Sequence, residues 1–343
     1  MKAAVLAEPG VVEIRDVADP QATTGQVVVR VEGSSICGSD LTGYWGVNAR
    51  MRLPTIPGHE VAGTVVAVAD GGRSELLGQR IAVEPNVSCR TCEWCVSGLP
   101  NICTHYRVLG ESMDVPGGLA EFVAVAEDQV YPLPDAISMT EGAVIQPLSI
   151  SYHGVVDRGA VAADETVLII GAGPIGLAAL LFARDIGART IIADVVEDRL
   201  EIARRLGAHL AIRADSNDVA MATREATGGR GADVTIEAVG GAQQQSLIDA
   251  VGATATRGRV VVLGTFAKPP QLFQAYAFKN RELTMIGSHG HPGSFAPTLD
   301  LVAAGRIRPS DLITHTIPLA EAASAFTMLD ERADGVIKVV LQP

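Results

Sequence analysis

Four of the chain's five cysteines, Cys89, Cys92, Cys95 and Cys103, follow the spacing C-x2-C-x2-C-x7-C. Short loops at that spacing return every sulfur to one point. An all-cysteine set with thiolates about 2.3 Å from a single ion is the closed pattern of a structural zinc site. Two disulfides are the alternative. The opening MKAAVLAEPG reads as a strand and a turn rather than a secretory signal, which predicts a reducing, cytoplasmic setting where disulfides are disfavoured. The fifth cysteine, Cys37, stands apart in SSICGSD, and PGHE supplies His59 and Glu60. Cysteine, histidine and a carboxylate suit a catalytic zinc, which keeps few protein ligands of mixed type and one open position. The bland alternative is a cysteine acting as a small hydrophobe and a histidine that satisfies a structural hydrogen bond.

A third element is VLIIGAGPIG, where four apolar residues run into Gly171, Gly173, Pro174, Ile175 and Gly176 and a helical stretch follows. The first glycine permits a tight turn, the second lets backbone approach a pyrophosphate, and the third lets helix and strand touch. The helix N-terminus favours phosphate charge. The next strand, TIIAD, ends on Asp194. About 20 residues after the glycines, a carboxylate hydrogen-bonds the adenosine ribose hydroxyls and repels a 2′-phosphate. That favours NAD over NADP, although Arg199, five residues on, argues the other way. A strand-end cap and a plain turn are the structural alternatives.

Elements to position these groups are legible around them. The length of 343 residues suggests two domains, and 48% hydrophobic content supplies a core. A net charge of −12, with no basic run, argues against nucleic acid or an anionic membrane surface as partner. The long uncharged run from Val167 to Ala183 falls short of a bilayer span and is broken by the glycine loop. Up to about residue 150, short β-branched runs such as QVVVRVEG and VAGTVVAVA predict an all-β domain with the cysteine lobe as an excursion. From about 160, strands alternate with helices, which predicts a parallel sheet wound by helices. The closing VIKVVL needs a sheet edge and is placed back on the first domain.

Taken together, CGSD around Cys37, GHE at His59 and Glu60, the four-cysteine lobe, GAGPIG with Asp194, and Gly287-Ser288 resemble the zinc-dependent medium-chain alcohol dehydrogenases. The sorbitol, threonine and sugar-acid dehydrogenase branch is the most similar, and the likeness covers essentially the whole length. It implies a GroES-like β catalytic domain (1–150 and 287–343, with a structural zinc lobe over 86–105) and a Rossmann doubly wound parallel-sheet domain (151–286), with the active site in the cleft between them. It also implies two zinc ions per subunit, NAD, a small-molecule alcohol substrate and a homo-dimer or homo-tetramer. The activity implied is hydride transfer from a secondary alcohol of a polyol, sugar, sugar acid or cyclitol to NAD. Cys37, His59 and Glu60 are then the ligands of the catalytic zinc, Ser39 takes the alcohol proton, and Tyr44 and Trp45 are candidates for substrate contact or for packing.

Two positions depart from that branch. Gln146, in AVIQPLSISYHG, stands where a glutamate usually precedes Pro-Leu. Zinc held by Cys37, His59 and Glu60 then sums to zero charge rather than minus one, unless Gln146 only packs at the domain hinge. Thr42 replaces a histidine that passes the proton onward, and a threonine is no base near neutral pH. His289 and His291 stay outside the catalytic set. Phe266, Phe273, Tyr276 and Phe278 are left between a cofactor wall and a subunit contact. Three other functions remain open: a threonine-type amino-alcohol dehydrogenase, a zinc-free NADPH reductase of the same superfamily, and a non-catalytic NAD-binding relative with a decayed zinc site.

Overall fold

The β-branched runs of the first half form antiparallel strands because their alternate residues face one apolar core. In this computed structural model, which describes residues 1–112, 114–241, 243–266 and 275–343, the chain divides into two units, Met1–Gln146 with Phe295–Pro343, and Pro147–Ser294. The first unit is organised by strand Gln26–Ser35. It pairs antiparallel with Glu60–Val68 along one side, and with Phe122–Ala126 and Lys338–Gln342 on the other. Glu60–Val68 continues to Arg80–Val83 and Val130–Pro132. Val27, Val29, Val61, Val65, Ile81 and Val123 fill the resulting core, where each aliphatic side chain contributes about 1.5–3 kcal/mol on burial.

The closing strand Lys338–Gln342 is not at the rim. It lies between Gln26–Ser35 and the parallel strand Ile313–Pro318, so Lys338 is carried into the interior. The cysteine lobe leaves this unit through a short antiparallel pair, Asn86–Val87 with Arg107–Val108, whose pairing brings the lobe's two stems together.

The second unit is a six-stranded, all-parallel sheet. Its order is Leu210–Arg213, Arg189–Asp194, Thr166–Ile170, Ala232–Glu237, Thr254–Val262, Thr284–Gly287. In chain order this is 3-2-1-4-5-6, the doubly wound arrangement, with the strand order reversing beside Thr166–Ile170. That strand is buried along its whole length, which is why it reads as a continuous apolar run. Among the described residues no helix is long and apolar enough to cross a membrane. Phe273 lies outside the described residues, and Tyr276 is exposed on helix Ala275–Arg281.

Candidate metal centres and cofactor cradle

In the lobe, the sulfur atoms of Cys89 and Cys95 are 3.9 Å apart, Cys92 and Cys95 3.5 Å, Cys92 and Cys103 3.9 Å, and Cys103 and Cys89 3.5 Å. A tetrahedron with 2.3 Å metal–sulfur bonds has edges of about 3.8 Å, so the four sulfurs already outline a zinc sphere. A disulfide needs about 2.05 Å, and all five cysteines are free. Amides of Cys89, Cys92 and His105 donate to these sulfurs at 3.3 Å. Amide bonds, first that from Thr91, hold the Cys89 thiol down to about 5, while burial pushes Cys95 up to about 11. Sulfurs this close cannot all ionise without a cation between them.

The second group forms in the first unit. Cys37 precedes helix Gly38–Tyr44, and His59 and Glu60 stand where the chain enters strand Glu60–Val68. One ligand atom from each of Cys37, His59 and Glu60 lies within 4.8 Å of the others, His59 and Glu60 being buried. Asp40, fully buried, ties the two segments together. Its Oδ2 accepts from the Cys37 amide at 2.8 Å and its Oδ1 from the Gly58 amide at 3.2 Å. Burial lifts the Asp40 carboxyl to about 6. Burial also opposes charge on His59, yet Cys37, Asp40 and Glu111 together hold its pKa well above the ordinary value. The set fits a cation: a half-buried thiol, a buried imidazole and a buried carboxylate converge, and among the described residues His59 Nδ1 has no hydrogen-bond partner.

Glu60 has neighbours that the sequence analysis did not anticipate. Lys338 Nζ donates to its two oxygens at 2.9 and 2.8 Å and to the Ile36 carbonyl at 3.1 Å, and Ser35 Oγ donates to Oε2. Burial lowers and Glu60 raises the Lys338 pKa, and the raising prevails. The local charge therefore includes Lys338, Asp40 and Glu111 beside the three candidate ligands. A buried lysine in a closing strand has a weak sequence signal: one cation inside the apolar run VIKVVL.

Ser39 Oγ is buried without a partner, whereas its carbonyl accepts from Thr42 Oγ1 at 2.8 Å and from Asn48 Nδ2 at 3.3 Å. The Thr42 hydroxyl is thus spent on backbone. Gln146 is buried. Tyr44 stacks on Phe326 with ring centroids 5.5 Å apart, and Trp45 donates to Asp330 Oδ1 at 2.8 Å. Both geometries are packing contacts with helix Ala322–Glu331. His289 is exposed and His291 buried, and His153 pairs with Asp157 at 2.9 Å.

In the second unit, Gly171 has φ +100°, and a Cβ there would meet Val239 Cγ2 at 2.9 Å. At Gly173 only Arg199 Nη1 lies near, at 3.9 Å, leaving open backbone at the start of helix Pro174–Ile186, whose first turn holds Pro174 and Ile175. A Cβ on Gly176 would fall 1.8 Å from the Gly171 carbonyl oxygen. The three glycines therefore do three different jobs: turn, open approach, and helix-to-turn contact. Asp194 ends the adjacent strand, accepting from the Ala172 amide at 2.6 Å and the Val196 amide at 2.8 Å, so its carboxylate is fixed beside the turn. Glu237, fully buried at the end of its strand, was not singled out by sequence. Its Oε1 accepts from the Val239 and Gly240 amides at 3.0 Å and from Ser246 Oγ at 2.7 Å, fixing the loop that packs on Gly171.

Comparison with known proteins agrees with this construction. The alcohol dehydrogenase GroES-like domain matches residues 23–135, and the zinc-binding dehydrogenase domain matches 174–304. Sorbitol dehydrogenase of Bombyx mori is 34% identical over 99% of this chain and 98% of its own. Among solved structures, the alcohol dehydrogenase RspB of E. coli CFT073, complexed with NADH, superposes with a TM-score of 0.91 at 30% identity, covering 100% of this chain and 99% of that one. A zinc-binding dehydrogenase of Sinorhizobium meliloti 1021, bound to NADP, gives 0.92 at 31% over the same shares. The chain belongs to the zinc-type medium-chain alcohol dehydrogenases, a family whose members similar to it include dehydrogenases of polyols and of a sugar acid.

Proposed function

We propose that this protein oxidises a secondary alcohol of a polyol, sugar, sugar acid or cyclitol, with NAD as hydride acceptor. The observation that carries the reading is the convergence of half-buried Cys37 with buried His59 and Glu60, one ligand atom from each within 4.8 Å of the others. When bound there, zinc supplies a Lewis acid that lowers the pKa of a substrate hydroxyl, and the nicotinamide accepts the hydride. The four-cysteine lobe holds the second zinc and is structural.

The residues of the chain do the rest. Ser39 Oγ, buried and unpartnered, accepts a proton from the substrate hydroxyl as it gives up its own hydroxyl proton. Thr42, already bonded to the Ser39 carbonyl, does not carry it further, so the proton leaves through water. Lys338 holds Glu60 in place and balances its charge. Gly171, Gly173, Pro174, Ile175 and Gly176 receive the pyrophosphate, and Asp194 the adenosine ribose. Its fixed carboxylate supports NAD over NADP, and Arg199 beside Gly173 adds positive charge at the phosphates. A dimer or tetramer is part of the reading by family resemblance.

The test is NAD+ reduction against a panel of polyols, sugar acids, cyclitols and β-hydroxy amino acids, each repeated with NADP+ and after metal chelation. Chelator-sensitive, NAD-dependent turnover of one of the first three classes supports the reading. Turnover of a β-hydroxy amino acid favours a threonine-type enzyme. Silence in a folded protein that binds NADH favours a decayed site. Ser39→Ala with unchanged turnover removes Ser39 from the proton path.

A further inference from the structure

A turn of wide helix in the second unit holds both ends of one loop. Helix Ile145–Tyr152 runs on into a π-helical turn, His153–Arg158, a winding that is frequent at functional positions. The turn is seated on the sheet at both ends. A Cβ on Gly154 would fall 2.6 Å from Leu263 Cδ2, just past strand Thr254–Val262, and Arg259 of that strand donates to the Gly159 and Ala160 carbonyls. It is therefore a fixed platform.

Two consecutive side chains of the platform reach the same loop. Arg158 Nε donates to the Gly287 carbonyl at 3.0 Å, where strand Thr284–Gly287 ends. Asp157 Oδ2 accepts from Ser294 Oγ at 2.8 Å, at the last residue of the unit. The same oxygen meets His153 Nδ1 at 2.9 Å, which fixes the Asp157 side chain from its own helix. Between the two pins run residues 288–293, with Gly290 at φ +65° and Gly293 at φ +71°. Glycines leave such a loop many shapes unless its ends are held. Asp157 and Arg158 are exposed, so their bonds add little to global stability. What they determine is where the loop begins and ends.

The loop follows the carboxyl end of the sixth strand. In a doubly wound sheet, a dinucleotide binds beyond the carboxyl ends of the strands, with one half on each side of the point where the strand order reverses. Gly171 to Gly176 and Asp194 belong to the half built on Thr166–Ile170 and Arg189–Asp194, which takes the adenosine. Ala232–Glu237, Thr254–Val262 and Thr284–Gly287 carry the other half. Ser288 Oγ, first in the loop, is buried with no hydrogen-bond partner among the described residues, so it is left to meet a polar group brought by a ligand.

We propose that Asp157 and Arg158 are positioning residues for the nicotinamide half of the cofactor, an inference that rests on the cofactor reading of Gly171 to Gly176 and Asp194. They pin the ends of loop 288–293 to the π-helical platform, and so hold Ser288 and the loop backbone where the nicotinamide mononucleotide binds.

Full-length wild type, Asp157→Ala, Asp157→Asn and Arg158→Met are titrated with NADH and with ADP-ribose, which keeps the adenosine and pyrophosphate and lacks the nicotinamide. Thermal melts accompany the titrations. In Asp157→Ala and Arg158→Met, NADH is expected to bind roughly 3–10-fold more weakly, the equivalent of one lost hydrogen bond, while ADP-ribose affinity and Tm stay at wild-type values. Asp157→Asn keeps an acceptor for Ser294 and recovers most of the NADH affinity. NADH affinity unchanged in either Asp157→Ala or Arg158→Met, or NADH and ADP-ribose weakened alike, gives the pair no role at the nicotinamide and overturns the inference alone. A wild type that binds neither NADH nor ADP-ribose overturns the cofactor reading and the inference with it.

Discussion

Lys338 and Glu60, 278 residues apart, form a buried ion pair in which one ammonium spans both carboxylate oxygens at 2.9 and 2.8 Å. The pair exists because the closing strand is laid against Gln26–Ser35 through Val340 with Ser35 and Leu341 with Ser34. It fastens the last strand of the chain to the residue that follows His59. A buried pair adds little net stability, but removing one member leaves an uncompensated charge, at about 3–5 kcal/mol.

Lys338→Met is expected to destabilise the metal-free protein by an amount of that order, because Glu60 then lies in the interior with only Ser35 as partner. With zinc bound, the metal replaces part of the lost positive charge and the loss is smaller. Denaturant melts of wild type and variant, each with and without zinc, check this. Equal losses in the two states would separate Glu60 from the metal.

Any one of Cys89→Ser, Cys92→Ser, Cys95→Ser or Cys103→Ser should lower zinc content by one ion per chain and lower Tm. Four sulfurs at 3.5–3.9 Å repel one another once the cation is gone. The chain has two tryptophans, Trp45 and Trp94, and Trp94 lies in the lobe. In a Trp45→Phe background its emission reports the lobe alone. That emission should change on chelation before global unfolding.

The residues legible in the sequence are those bound together by local spacing. Cys89 to Cys103, Gly171 to Gly176, and the pair His59-Glu60 each lie within one short segment, so the geometry of a loop or turn already implies their convergence. Cys37 is readable through its motif. Lys338 and Glu237 are not, since each gains its role from a register or backbone contact between distant segments: the strand at 338–342 and the loop packed against Gly171. Tyr44 shows the reverse case. Its position after the Cys37 motif suggests a substrate contact as readily as packing, and its contact with Phe326, from a distant segment, carries no signal in the sequence.

The glycine cradle predicts two opposite phenotypes. Gly176→Ala must displace the Gly171 carbonyl, with which a Cβ would overlap at 1.8 Å, so loss of stability and of NADH binding should come together. Gly173→Ala meets only the end of Arg199, at 3.9 Å, so Tm should stay within the range of a neutral surface change, about 0.5 kcal/mol. NADH affinity should nevertheless fall on the order of tenfold, about 1.4 kcal/mol, because the new methyl occupies the open approach to the backbone. Thermal melts and NADH fluorescence titration separate the two outcomes.

The second unit carries a pH-dependent clasp apart from any metal. Arg259 forks onto Glu165, Nη1 to Oε1 and Nη2 to Oε2 both at 2.7 Å, and also donates to the Gly159 and Ala160 carbonyls. Burial raises the Glu165 pKa, but hydrogen bonds from Arg259 and the Ala162 amide outweigh it and hold the carboxyl below its ordinary 4.5. A depressed carboxylate stabilises the folded state above the unfolded value. That contribution is lost as pH falls from about 4.5 through the folded value. Glu165→Gln is therefore expected to cost about 1 kcal/mol at pH 7 and progressively less below pH 4.5. Urea midpoints of wild type and variant across that range test it, and a gap that stays constant down to the lowest pH at which both remain folded would show that the fork adds no charge-dependent stability.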